Sequence, residues 1–180
     1  AIDFLGIDVE GGEMNVLSGG RQTIGYDVLG VLTEVMFYEL LEGQKTFGEV
    51  NAFLKSSGYR FVWVKPHSDQ YAFSRRSIGL RGRSGVTVTG DVLFLRDPEH
   101  VRANHPEPDL GLAKLAFMAL NFSLLDYALD ALDFIVDFST FVQTCGNFGP
   151  FLHQLHGARQ RSPVLLPPLF SEVMTAEEST

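Results

Sequence analysis

Short, nearly unbroken apolar runs alternate with stretches of helical periodicity over the first 95 residues, and this alternation constrains the fold more than any other feature. Ile2 to Ile7 is apolar with little alternation, as expected of a strand buried on both faces. Glu13 to Ile24 reads as a helix with Met14, Leu17 and Ile24 on its apolar side, weakened at its end by Gly19-Gly20. "VLGVLTEVMF", Val28 to Phe37, is a second buried strand. Thr46 to Ser56 places Phe47, Val50, Phe53 and Leu54 on one helical face, and Gly58 supplies the stop. "YRFVWV", residues 59 to 64, is a third strand, and Val86 to Leu95 a fourth.

Strand, helix, strand, helix, strand implies right-handed crossovers and a mainly parallel sheet. No helical pattern separates the last two strands. "KPHSDQYAFSRRSIGLRGRSG", residues 65 to 85, is polar and Gly-rich and reads as a long loop or hairpin extension. The fourth strand is therefore expected antiparallel to the third.

Beyond the strands the composition changes. "RDPEH" and "NHPEP", within residues 96 to 108, read as a Pro-bearing boundary. Leu110 to Val142 is strongly apolar and helical in composition. Asp126, Asp130, Asp133 and Asp137 recur there at helical spacing and are expected to share one face. Each would cost about 2.5–3.5 kcal/mol at a bilayer centre, so a membrane span is excluded in favour of an acidic, solvated edge. The expected organisation is an α/β part over residues 1–98, a helical extension over 109–157 and an irregular tail over 158–180. The net charge of −8 argues against a broad nucleic-acid or anionic-lipid footprint. The single cysteine, Cys145, points to a reducing, cytoplasmic setting. The chain opens on Ala1 rather than Met and is expected to begin inside a longer protein.

The chemistry concentrates at strand ends. In open α/β sheets, ligands bind beyond the carboxyl ends of the strands. Asp8 and Glu10 follow the first strand, and Glu34 lies near the same end of the second. If these strands are neighbours, Asp8 and Glu34 approach one crevice. Gly11-Gly12 would allow a tight turn and close approach by a ligand. Glu13 suits the first turn of a helix, where negative charge is favoured by about 0.3–1 kcal/mol. Such carboxylates can serve as general base, as partner for a cationic group or as hard-metal ligands, and spacing leaves all three open. His153 and His156 are three apart, but no third metal ligand is evident nearby.

"DFLGIDVEGGEMNVLSGG", then "VLTEVMF", then "GQKTFGEVNAFLKSSGYRF" and a closing strand resemble the C-terminal half of FkbM-type methyltransferases. That family carries a pattern close to K-I-D-x-E-G-x-E-x-x-x-L-x-G, followed on the next strand by E-V. Asp8, Glu10, Gly11, Glu13, Leu17 and Gly19 match the first, and Glu34-Val35 the second. The likeness is close over residues 2 to 65 and looser over 86 to 95. Gly6 stands where the family has lysine.

The resemblance implies an α/β fold: the C-terminal half of a Rossmann-like class I methyltransferase sheet, mostly parallel with its last strand antiparallel, followed by an α-helical extension. It implies S-adenosylmethionine as cofactor, with the Gly-rich cofactor-binding half missing from these 180 residues, so that this piece alone is expected to be inactive. Asp8 and Gly11 would meet the cofactor. Asp8, Glu10 and Glu34 would serve catalysis, and His67, Tyr71 and Arg75, in the insertion before the last strand, would line an acceptor pocket. Arg75, Arg76, Arg81 and Arg83 make a local basic patch in the same insertion. The expected reaction is O-methylation of a hydroxyl on a sugar, lipid or secondary metabolite, with no metal and no nucleic-acid partner. The competing readings are a non-catalytic α/β interaction module that oligomerises through its helical extension, and another nucleotide-dependent transferase.

Overall fold

The chain is represented by a computed structural model that describes residues 2–40, 42–67, 87–146 and 149–159. Its sheet has the lateral order β1-β2-β4-β3, from β1 (Phe4–Ile7), β2 (Gly30–Met36), β3 (Tyr59–His67) and β4 (Thr89–Arg96). β1 and β2 pair in parallel, and β4 pairs antiparallel with both β2 and β3. The antiparallel pairing of the last two strands follows the sequence reading. The placement of β4 between β2 and β3 does not follow from chain order, and it makes the sheet mixed.

β4 accordingly has partners on both edges and packing on both faces. Val92, Leu93, Phe94 and Leu95 are fully buried, which accounts for an apolar run without alternation. Side chains alternate between the faces of the sheet. Val31, Val35, Val92 and Phe94 join Leu17, Ile24, Val50 and Leu54 in one cluster beneath the first three helices. On the opposite face, Phe122 stacks on Phe4 at 6.4 Å and tilts against Trp63 at 5.6 Å.

The expected helix over residues 13 to 24 is two: α1 (Glu13–Gly19) and α2 (Arg21–Tyr26). The Gly20 amide closes on Val16 O at 2.8 Å, and its carbonyl receives Ile24 N at 2.9 Å, so the glycine ends one helix and starts the next. α3 (Phe47–Ser56) starts where Glu49 reaches back to the Thr46 amide at 2.9 Å. It stops before Gly58, whose φ of +82° and close packing under the His100 ring both require glycine.

A buried arginine fastens the end of the sheet remote from Asp8. Arg96 is 3% exposed, donates from Nε to Val28 O at 3.0 Å, and also donates to the Ser57 and Ile24 carbonyls. Its guanidinium lies over the Tyr59 ring at 4.3 Å. The Tyr59 hydroxyl donates to Val28 O at 2.7 Å and reaches Ile24 O at 3.0 Å. One side chain thus ties the ends of α2 and α3 to β4.

The segment read as a boundary carries α4 (Pro98–Asn104). Pro98 occupies the first turn, where its missing N–H costs nothing, and the Asp97 carboxylate accepts from Glu99 N at 3.0 Å. α5 (Pro108–Asn121) and α6 (Leu125–Asp133) pack on each other, and Leu112, Leu115, Ala128 and Leu132 are fully buried. Asp126, Asp130 and Asp133 lie on α6, whereas Asp137 accepts from Thr140 N at 3.0 Å and caps α7 (Phe138–Thr144). The four aspartates therefore do not share one helix.

The chain forms two compact units, residues 1–136 and 137–180. In the second, α7 packs on α8 (Gly149–Arg159). Among the described residues, no helix is long and apolar enough to cross a membrane.

Candidate functional site

Parallel pairing sets the site. Ile7 pairs in register with Thr33, so Asp8, one residue beyond, comes level with Glu34 at the carboxyl ends of β1 and β2. The chain then reverses into α1 through two left-handed residues, Glu10 at φ 53° and Gly11 at φ 99°. Positive φ is uncommon outside glycine, and here it turns Glu10 outward beside Asp8, both exposed.

Glu13 holds this loop together. It is 4% exposed, and its Oε1 accepts from Gly11 N at 3.0 Å and Val9 N at 3.3 Å. The helix-dipole argument anticipates an acid here but not its inward turn onto the loop. Gly11 is constrained twice, by its φ and by Gln44, whose amide group fills the space a Cβ would need. The Gln44 Oε1 in turn accepts from Leu40 N at 3.1 Å, so the loops after β1 and β2 brace one another.

Glu34 is more enclosed than Asp8 and Glu10, with its side chain 13% exposed. Its Oε1 is 3.4 Å from His67 Nδ1. The other ring nitrogen, Nε2, is 3.0 Å from Asp91 Oδ2, and Nδ1 also meets the Thr89 hydroxyl at 3.3 Å. Register explains the meeting: Glu34 on β2 faces Asp91 on β4, and Thr89 on β4 faces His67 on β3. Burial pushes the Glu34 carboxyl above its ordinary range, the negative charges of Asp8 and Glu10 push it further, and His67 partly offsets both.

The sequence reading puts His67 in the insertion, whereas β3 runs on through Pro66 to include it. Proline is tolerated there because β3 is an edge strand. Asp91 and Thr89 were missed. Their signal was present in "TGDVLFL", where two polar residues share one face, but it needed the lateral position of β4 to be read. Tyr71 and Arg75, with Arg76, Arg81 and Arg83, lie outside the described residues. His153 and His156 fall within α8, and among the described residues no group of three or more His, Cys, Asp or Glu side chains is placed to hold a metal ion.

A mixed α/β sheet with carboxylates gathered at parallel strand ends defines a fold compatible with the methyltransferase-like class. Residues 1–61 match the family model described as Methyltransferase FkbM domain, which supports an FkbM-type methyltransferase. No curated protein and no solved structure matches the chain.

Proposed function

We propose that the chain serves S-adenosylmethionine-dependent O-methylation of a hydroxyl on a sugar, lipid or other small metabolite. The observation that carries this reading is the arrival of Asp8 and Glu34 at the same end of two hydrogen-bonded parallel strands, beside Glu10. The match over residues 1–61 gives the transferase class. It also disfavours the competing view of a non-catalytic module.

The residues suit the donor electrostatically. S-Adenosylmethionine carries a sulfonium and an ammonium, and when bound it supplies an electrophilic methyl group. The exposed carboxylates of Asp8 and Glu10 provide negative charge where such a cation would lie. Gly11 is already required by its φ and by Gln44, so a cofactor contact at its backbone is an additional role.

Glu34 is assigned the proton. Its Oε atoms sit in an enclosed site, and its raised affinity for protons brings a carboxylate nearer to the range useful to a base. As the acceptor oxygen takes up the methyl group, with the methyl–sulfur bond breaking and its electron pair staying on sulfur, Glu34 would receive the hydroxyl proton. His67, half-buried beside it, is placed to orient the acceptor. Positioning supplies much of the acceleration in an in-line displacement of this kind.

Transfer of a labelled methyl group from S-adenosylmethionine to hydroxylated acceptors by the complete protein tests the reading. Loss of turnover in both Asp8→Asn and Glu34→Gln is the expected result, and unchanged turnover in both rejects it.

A further inference from the structure

His67 is held more firmly than an acceptor contact alone would need. Its Nε2 is 3.0 Å from Asp91 Oδ2, and its Nδ1 is 3.4 Å from Glu34 Oε1 and 3.3 Å from Thr89 Oγ1. The carboxylates come from β2 and β4, and the ring comes from β3. A neutral imidazole has a single N–H and cannot donate to both carboxylates. Only a protonated ring donates to both carboxylates at once, one from each nitrogen.

We infer that His67 is a positioning residue for Glu34: anchored by Asp91 and Thr89, its ring supplies the positive charge that holds the Glu34 carboxylate ionised and fixed at the rim of the site. The purpose of this arrangement rests on the methyl-transfer reading, because only an ionised Glu34 can take the acceptor proton. Its geometry does not.

Among the described residues, the titratable groups around Glu34 are Asp8 and Glu10 from the loop after β1, Asp91 from β4, and His67 from β3. Lys65, on β3, pairs in register with Asp91 and is exposed. Burial, Asp8 and Glu10 all favour protonated Glu34, and His67 acts against them. Without the imidazole, Glu34 keeps its proton to higher pH, which removes the base from part of the working range.

Carbon-13 NMR of the Glu34 side-chain carboxyl, recorded against pH on the 180-residue chain with no methyl donor, tests this directly. In His67→Gln the titration midpoint moves up. In His67→Lys it returns toward the wild-type position, because a cation is restored at the same place. An unchanged midpoint in His67→Gln overturns the inference, as does a His67→Lys midpoint as high as that of His67→Gln. In the methyl-transfer assay, His67→Gln loses kcat at low pH and recovers as pH rises. A loss equal at every pH also overturns it. If the complete protein transfers no methyl group, the functional reading fails, and the carboxyl titration still decides the role of His67.

Discussion

Glu34 and His67 meet across the strand that separates their own: Oε1 of one stands 3.4 Å from Nδ1 of the other, over β4. The contact exists because β4 returns antiparallel between β2 and β3 and brings both strands into register with it. The same placement delivers Asp91 to the far side of the imidazole. A lateral strand order thus assembles a cluster whose members are widely spaced along the chain.

This enclosure has a thermodynamic consequence. The native pKa of Glu34 is raised above its ordinary 4.5, chiefly by burial. The folded state therefore binds this proton more tightly than the unfolded chain. The resulting stabilisation is fully present below the ordinary value and is lost as pH rises through the native one. Glu34→Gln cannot ionise and is expected to gain on wild type across that window. Denaturant midpoints measured over a pH series check this, and a constant difference between the two proteins contradicts it.

The loop after β1 depends on a glycine that no other residue replaces well. Gly11 combines φ +99° with the packing of Gln44 against its α-carbon. Gly11→Ala is expected to destabilise by about 1–3 kcal/mol through backbone strain and displacement of Gln44. Thermal unfolding of the variant measures it. A melting temperature equal to that of wild type would mean that the loop relaxes freely.

At the other end of the sheet, Arg96 is a buried cation that donates to the carbonyls of Val28, Ser57 and Ile24, with His100 Nε2 at 3.3 Å and Tyr59 beneath it. Arg96→Met keeps much of the volume and strands three acceptors. A loss of about 3–5 kcal/mol is expected, since removing one side of a buried charged network leaves the other side unsatisfied. Urea titration reads this directly, and a loss below about 1 kcal/mol would show that water replaces the guanidinium.

Much of the architecture was legible in the chain, and what escaped has definite causes. The apolar runs around Val31 and Phe94 announce buried strands because each is packed on the sheet interior, whereas β1, read as buried on both faces, lies at the edge of this sheet with Phe4 and Gly6 exposed and Ile7 buried. Val50 and Leu54 announce α3 for the same reason. Chain order cannot state lateral order, so the position of β4 and the contribution of Asp91 stayed hidden. Two prolines misled in opposite ways. Pro66 looks like a strand stop yet lies in an edge strand, and Pro98 looks like a linker yet occupies the first turn of α4. The aspartate spacing from 126 to 137 mimics one helix although α6 ends at Asp133, because periodicity persists across a short interruption.

The carboxylate motif was legible for a different reason. Asp8 and Glu10 end a strand that pairs in parallel with the strand bearing Glu34, and parallel neighbours present the same end to one crevice. What the sequence did not show is that Glu13 belongs to the scaffold, since its inward turn depends on the left-handed conformations of Glu10 and Gly11.

The most direct test of the central claim is the rate of methyl transfer from S-adenosylmethionine to a hydroxyl acceptor by the complete protein in its wild-type, Asp8→Asn and Glu34→Gln forms, compared at one pH. The account predicts a fall of about 10²- to 10⁴-fold for Glu34→Gln, the usual contribution of a positioned base, and a clear fall for Asp8→Asn. Wild-type rates in both variants would contradict it.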